Sequence, residues 1–308
     1  MRHTYRYAYI LDKGKFHVPT FLIISFYFYY NTLKTKNIIK IKLRFQRIII
    51  PYIFWPTFMF ISNNILFKKL GFSQYNKLLK LKNLLLQLIL GSNYHNIFYF
   101  QYNLIFLTLL FTIISFFFKE SFIFIFQILL IIAYILQYSY LNLYIFIKYN
   151  IVIQISIGHI SELLPFAVMG LTLNYLDIIA KLKKIKGITI FYCITIIFLI
   201  LKFNIFVRIK GFWFPGILLN IGAICIYIIF SLFSFQNKKI IFLLKLFTKY
   251  TGGIYYIHMI YFLILEKKIF FIKSLTFPVS IVIYIISYIT CYLGNKFSYK
   301  TKFKLLFN

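Results

Sequence analysis

Apolar runs recur along this chain, separated by short clusters of lysine and arginine, and that alternation most limits what it can fold into. A helix crosses the hydrocarbon of a bilayer in about 20 residues. Runs of that order cover residues 16–31, 48–66, 96–117, 121–140, 160–179, 188–204, 214–234, 251–265 and 276–294. The expectation is an all-α fold: a polytopic bundle of about nine transmembrane helices, forming one domain over residues 1–308. Prolines 51, 56, 165 and 215 fall inside spans or at their starts. Membrane helices tolerate them because neighbouring groups satisfy the freed backbone.

Composition excludes the soluble alternative. The chain is 62% apolar and only 13% charged, with a mean hydropathy of +0.85. A soluble domain has about a quarter of its residues charged and needs that polar surface to cover its core. The net charge of +30, from 35 basic against 5 acidic residues, would suit a nucleic-acid partner. Here the basic residues sit between spans, so the reading is loops beside anionic headgroups, not nucleic acid.

The loops set an orientation. Lys34, Lys36, Lys40, Lys42, Arg44 and Arg47 form one cluster, Lys181, Lys183, Lys184 and Lys186 a second, Lys238, Lys239, Lys245 and Lys249 a third, and Lys296, Lys300, Lys302 and Lys304 the tail. With nine spans all four fall on one face, which the positive-inside rule makes cytoplasmic. Lys68, Lys69, Lys77, Lys80 and Lys82 lie on the other face, so the asymmetry is modest. Segment 76–91 is too short and too polar at its start to span. Its Leu and Lys spacing predicts an amphipathic helix lying in the interface.

Few side chains can do chemistry. Cys193, Cys225 and Cys291 lie inside apolar runs, without metal-ligand or disulfide spacing, and no metal is expected. Glu120, Asp177 and Glu266 read as solvated residues near span ends. His159 and Glu162 stand three apart at the start of the span containing Pro165, so on a helix they share a face. A His–carboxylate pair can act as a general base with its orienting group, or be a hydrogen-bonded pair at a helix end. His258 follows Gly252 and Gly253 and enters an apolar run, where an imidazole must bond something. Arg44 and Arg47 open the second long run. They can grip a phosphate or carboxylate, or serve as membrane anchors. No Walker loop, dinucleotide fingerprint, HExxH or GxSxG is present.

Five segments, in order along nearly the whole chain, resemble the acyltransferase 3 family of membrane O-acyltransferases. They are Phe16-His17-Val18-Pro19 leading to Ser25-Phe26-Tyr27-Phe28, Arg44-Phe45-Gln46-Arg47 leading to Pro51-Tyr52 and Trp55, Asn96-Ile97-Phe98-Tyr99-Phe100, Leu164-Pro165-Phe166 through Gly170, and Gly253-Ile254-Tyr255-Tyr256-Ile257-His258. The family's first span has no counterpart before residue 16, so the catalytic histidine it carries is not placed on His17. An N-terminally truncated copy, or an inactive remnant, is the corresponding expectation. The resemblance implies an acyl-CoA donor, usually acetyl-CoA, held by Arg44 and Arg47 at the cytoplasmic mouth. It implies a glycan or lipid-linked saccharide as acceptor, a base among His258, His159 and Glu162, and the plasma membrane as location. A glycan or lipid transporter or flippase is the competing class. It would show repeats and broken spans in matching halves, and none is visible here.

Overall fold

The computed structural model describes residues 17–62, 81–91, 98–118, 122–143, 151–209, 216–233 and 276–298, single residues between 238 and 261, and residue 306. All its regular elements are helices: α1 (His17–Lys34), α2 (Ile38–Ser62), α3 (Leu81–Leu90), α4 (Phe98–Phe117), α5 (Phe122–Leu143), α6 (Ile151–Tyr175), α7 (Ile178–Lys183), α8 (Lys186–Ile209), α9 (Gly216–Leu232) and α10 (Thr276–Phe297). The apolar runs within the described residues therefore fold as expected, as a helical bundle, while most of run 251–265 lies outside the described residues. Over Phe100–Phe117, α4 is long and apolar enough to cross a membrane by itself. Shorter apolar stretches lie in α5, α6, α8, α9 and α10.

The outside of the bundle is as oily as its inside. Phe28, Phe117, Phe124, Phe191, Phe198 and Phe230 are all largely exposed. In water such a surface would drive aggregation, whereas lipid solvates it.

The α1–α2 turn has local causes. The Asn37 side-chain oxygen accepts from the Lys40 amide at 2.9 Å, an N-cap on the third residue of α2. Lys36, just before, takes a left-handed conformation at φ 47°. The cap starts α2 at Ile38, ten residues before the expected span, so the Arg44–Arg47 segment is helix and not loop.

The closest helix pair is α1 against α6. They run parallel: Gly170 of α6 meets the backbone of Ile23 and Tyr27, and one turn on the Asn174 amide donates to the Tyr27 carbonyl at 2.7 Å. A Cβ at Gly170 would overlap the Ile23 carbonyl oxygen, so the glycine sets this approach. On the other side of α1, Phe26 stacks edge-on against Phe111 of α4, which packs in turn on Phe126 of α5. Leu22, Ile23, Phe26, Leu107, Phe111, Phe166, Ala167 and Leu171 fill this main core.

A second core joins Tyr52 and Trp55 of α2, Leu84 of α3, Tyr250, Ile254, Ile257 and Cys291 of α10. The Tyr52 hydroxyl donates to the Leu88 carbonyl of α3 at 3.3 Å. Of the expected amphipathic segment 76–91, residues 76–80, with Lys77 and Lys80, lie outside the described residues, and 81–90 is helical. Leu84 is buried against the bundle while Leu81, Lys82, Leu85 and Ile89 are exposed. Helix α3 packs on α2 and α4. It ends at Gly91, left-handed at φ 68°, where the Tyr102 ring occupies the place of any Cβ.

Candidate functional site

The built feature of this bundle is the seam where α1, α2 and α4 meet around Arg44. Helix α2 runs antiparallel to both neighbours, so its Arg44 lies level with Ser25, midway along α1, and Thr108, midway along the apolar stretch of α4. Its terminal nitrogens donate to the Ser25 hydroxyl at 2.9 Å and to the Ser25 carbonyl at 3.3 Å, and Nε donates to the Thr108 hydroxyl at 3.3 Å. The rings of Tyr29 and Phe26 lie over the guanidinium, with centroids 4.2 and 5.0 Å away.

The surrounding hydroxyls are themselves fixed. Tyr29 and Thr112 share a hydrogen bond of 2.7 Å, Thr112 also meets the Thr108 carbonyl at 2.6 Å, and Ser115 donates to the Thr112 carbonyl at 2.8 Å. Every partner of Arg44 among the described residues is neutral. A guanidinium at the centre of a bilayer costs about 2.5–3.5 kcal/mol on insertion scales. Aromatic faces and hydroxyls recover part of that without cancelling the charge. This differs from the expected place at the cytoplasmic mouth, because α2 begins early and carries Arg44 into the bundle. Arg47, one turn on, is exposed.

His258 sits on a helical turn beside the second core, partly exposed. Its Nδ1 lies 2.9 Å from the Ile254 carbonyl oxygen, one turn back. A carbonyl only accepts, so Nδ1 carries the proton and the basic lone pair of the neutral ring is on Nε2. His159 and Glu162 fall on α6, three residues apart. Their side chains lie outside the described residues, so the structure neither joins them to Arg44 nor separates them from it.

The sequence model of the acyltransferase 3 family, described as an acyltransferase domain, matches residues 7–295. The chain belongs to the acyltransferase 3 family. No curated protein and no solved structure matches it. The family and the apolar helices together make it a membrane acyltransferase in general character.

In this acyltransferase the residues around Arg44 form a group that residue-by-residue reading missed. Ser25, Tyr29, Thr108 and Thr112 attract no notice singly. Their signal is spacing: on apolar α4, Gln101, Thr108, Thr112 and Ser115 recur at intervals of seven, four and three, which is one face of a helix. No group of three or more His, Cys, Asp and Glu occurs among the described residues.

Proposed function

We propose that this protein is a membrane O-acyltransferase that moves an acyl group, acetyl in the simplest case, from acyl-CoA to a hydroxyl of a cell-surface glycan or lipid-linked saccharide. The observation that carries this reading is a fixed positive charge midway through a bundle of an acyltransferase family, held only by neutral groups among the described residues. Such a charge fits a ligand with anionic or strongly polarised oxygen.

The donor is polyanionic. The basic segment from Lys34 to Lys42 on the cytoplasmic face attracts it, and exposed Lys40 and Lys42 meet its phosphates. The acceptor hydroxyl is a weak nucleophile until a base takes its proton as the new bond forms. His258 suits that role by residue type: it is an imidazole beside the second core, with its Nδ1 held by the Ile254 carbonyl. His159 with Glu162 is the other pair of the right chemistry. The plasma membrane fits a surface-glycan acceptor.

The test is transfer of labelled acetyl from acetyl-CoA to glycan by the protein reconstituted in liposomes. Wild type is expected to label glycan. His258→Ala is expected to lower kcat by about 10²-fold or more, and Lys42→Ala to raise the KM for acetyl-CoA. Wild type that labels no glycan from any acyl-CoA donor contradicts the reading.

A further inference from the structure

We propose that the elbow joining α6, α7 and α8 is a binding site for anionic phospholipid: its lysines hold the headgroup phosphate, and the apolar side chains beside them lie along the acyl chains. This goes beyond the acyltransferase reading and does not depend on it.

The elbow is a fixed piece of backbone. Helix α6 ends at Tyr175, and Asp177 turns the chain in a left-handed conformation at φ 51°. Hydrogen bonds then continue through the turn. The Lys181 amide donates to the Asp177 carbonyl at 3.3 Å, Lys184 to the Lys181 carbonyl at 3.4 Å and Ile185 to the Leu182 carbonyl at 3.2 Å. Ile179 is buried in the main core, and Ile178 and Leu182 pack against it. The bundle therefore takes the inner side of α7, and the outer side carries its charge to the surface.

That charge has one sign. Lys181, Lys183, Lys184 and Lys186 are all exposed. Asp177 is the one carboxylate between residues 175 and 188. Lys186 also lies over the Phe233 ring, just past α9, with its Nζ 5.9 Å from the centroid, which ties the cluster to a second element. Lysines three residues apart on near-helical backbone repel each other. An anion that settles among these four relieves a repulsion the fold itself leaves in place. The acyl transfer makes no use of them, because the donor meets the α1–α2 turn.

The flanks decide which anion. Tyr175 and Leu176 precede the lysines, Ile185 and Ile188 lie among and after them, and all four are exposed. A soluble phosphate gains nothing from such side chains. A phospholipid presents a phosphate and apolar chains side by side, and the elbow offers partners to both. Lysine stems reach along apolar surface while their heads stay at the headgroup level. The level also fits. Helices α1 and α6 run parallel, and the Tyr30 and Tyr175 rings lie 6.2 Å apart, so the elbow stands at the same end of the bundle as the basic α1–α2 turn. In a spanning bundle that end meets the headgroups.

The experiment is photolabelling of the full-length chain in phosphatidylcholine vesicles that contain a trace of phosphatidylglycerol with a photoreactive group near its glycerol, followed by peptide mapping. Labelling of segment 175–188 is expected to exceed that by the matching photoreactive phosphatidylcholine. Each lysine beside an anionic lipid surface is worth about fivefold in binding. Replacing Lys181, Lys183, Lys184 and Lys186 together by glutamine is therefore expected to lower the phosphatidylglycerol label at the elbow by about tenfold or more. Replacing the same four by arginine keeps the charge and is expected to keep the label, which separates lost charge from a misfolded glutamine variant. Excess inorganic phosphate is expected to leave the label in place. The proposal is overturned if the two lipids label the elbow equally in wild type, or if the glutamine variant labels as wild type does. It is overturned as well if inorganic phosphate removes the label, which would make the elbow a site for free phosphate.

Discussion

Replacing Gly170 with alanine tests the packing that holds the seam in place. The added Cβ would overlap the Ile23 carbonyl oxygen and stand 3.0 Å from the Tyr27 nitrogen. Both are backbone atoms of a helix and cannot rotate away. Restoring an ordinary 3.4 Å to Tyr27 alone needs 3.4 − 3.0 = 0.4 Å of separation, and clearing Ile23 needs more. Parting α1 from α6 also stretches the Asn174–Tyr27 bond of 2.7 Å. Overpacking of this kind costs up to about 3 kcal/mol. The better helix propensity of alanine returns up to about 1 kcal/mol, so the net loss is about 2 kcal/mol. At roughly 2–4 °C per kcal/mol for a chain of this order, Tm should fall by about 4–8 °C. Gly187→Ala is the control, since nothing lies within 4 Å of its Cβ position and only the propensity gain applies. The assay is thermal unfolding of both variants in the same detergent. A Gly170→Ala protein that melts at or above wild type, as Gly187→Ala should, would refute the α1–α6 contact.

Three further outcomes are expected. Asn37→Ala removes the cap of α2 at a cost of about 1 kcal/mol, seen as faster hydrogen exchange at the Lys40 amide, which the Asn37 side chain now holds. Gly91→Ala forces a side chain into a left-handed turn against the Tyr102 ring and should lower Tm in the same detergent assay. The Cys193 and Cys225 thiols lie within hydrogen-bonding reach across α8 and α9. A membrane-permeant oxidant should therefore join them in a Cys291→Ala background, as a mass loss of two hydrogens that Cys225→Ser abolishes.

Helix positions were legible because lipid imposes one rule on every span, and apolar length states it directly. Run 96–117 became α4 at Phe98–Phe117, and run 276–294 became α10 at Thr276–Phe297. The start of α2 was not legible from hydropathy. Lys40, Lys42, Arg44 and Arg47 look like a loop on that scale, whereas the Asn37 cap and the helical backbone follow local hydrogen bonding. For the site, sequence singled out Arg44 as a phosphate grip or anchor at the opening of a run, and His258 as a costly group inside one. It had no means of placing Arg44 beside Ser25 and Thr108, because that depends on the register of three helices far apart in the chain. Tyr29, Thr108 and Thr112 gained meaning only once that register was known.

The most direct measurement of the central claim uses sealed membrane vesicles of both orientations containing the protein, with labelled acetyl-CoA added outside. The account predicts acyl transfer to glycan in inside-out vesicles, where the basic segment from Lys34 to Lys42 faces the donor, and almost none in right-side-out vesicles. Equal labelling in both, or labelling confined to right-side-out vesicles, would contradict it.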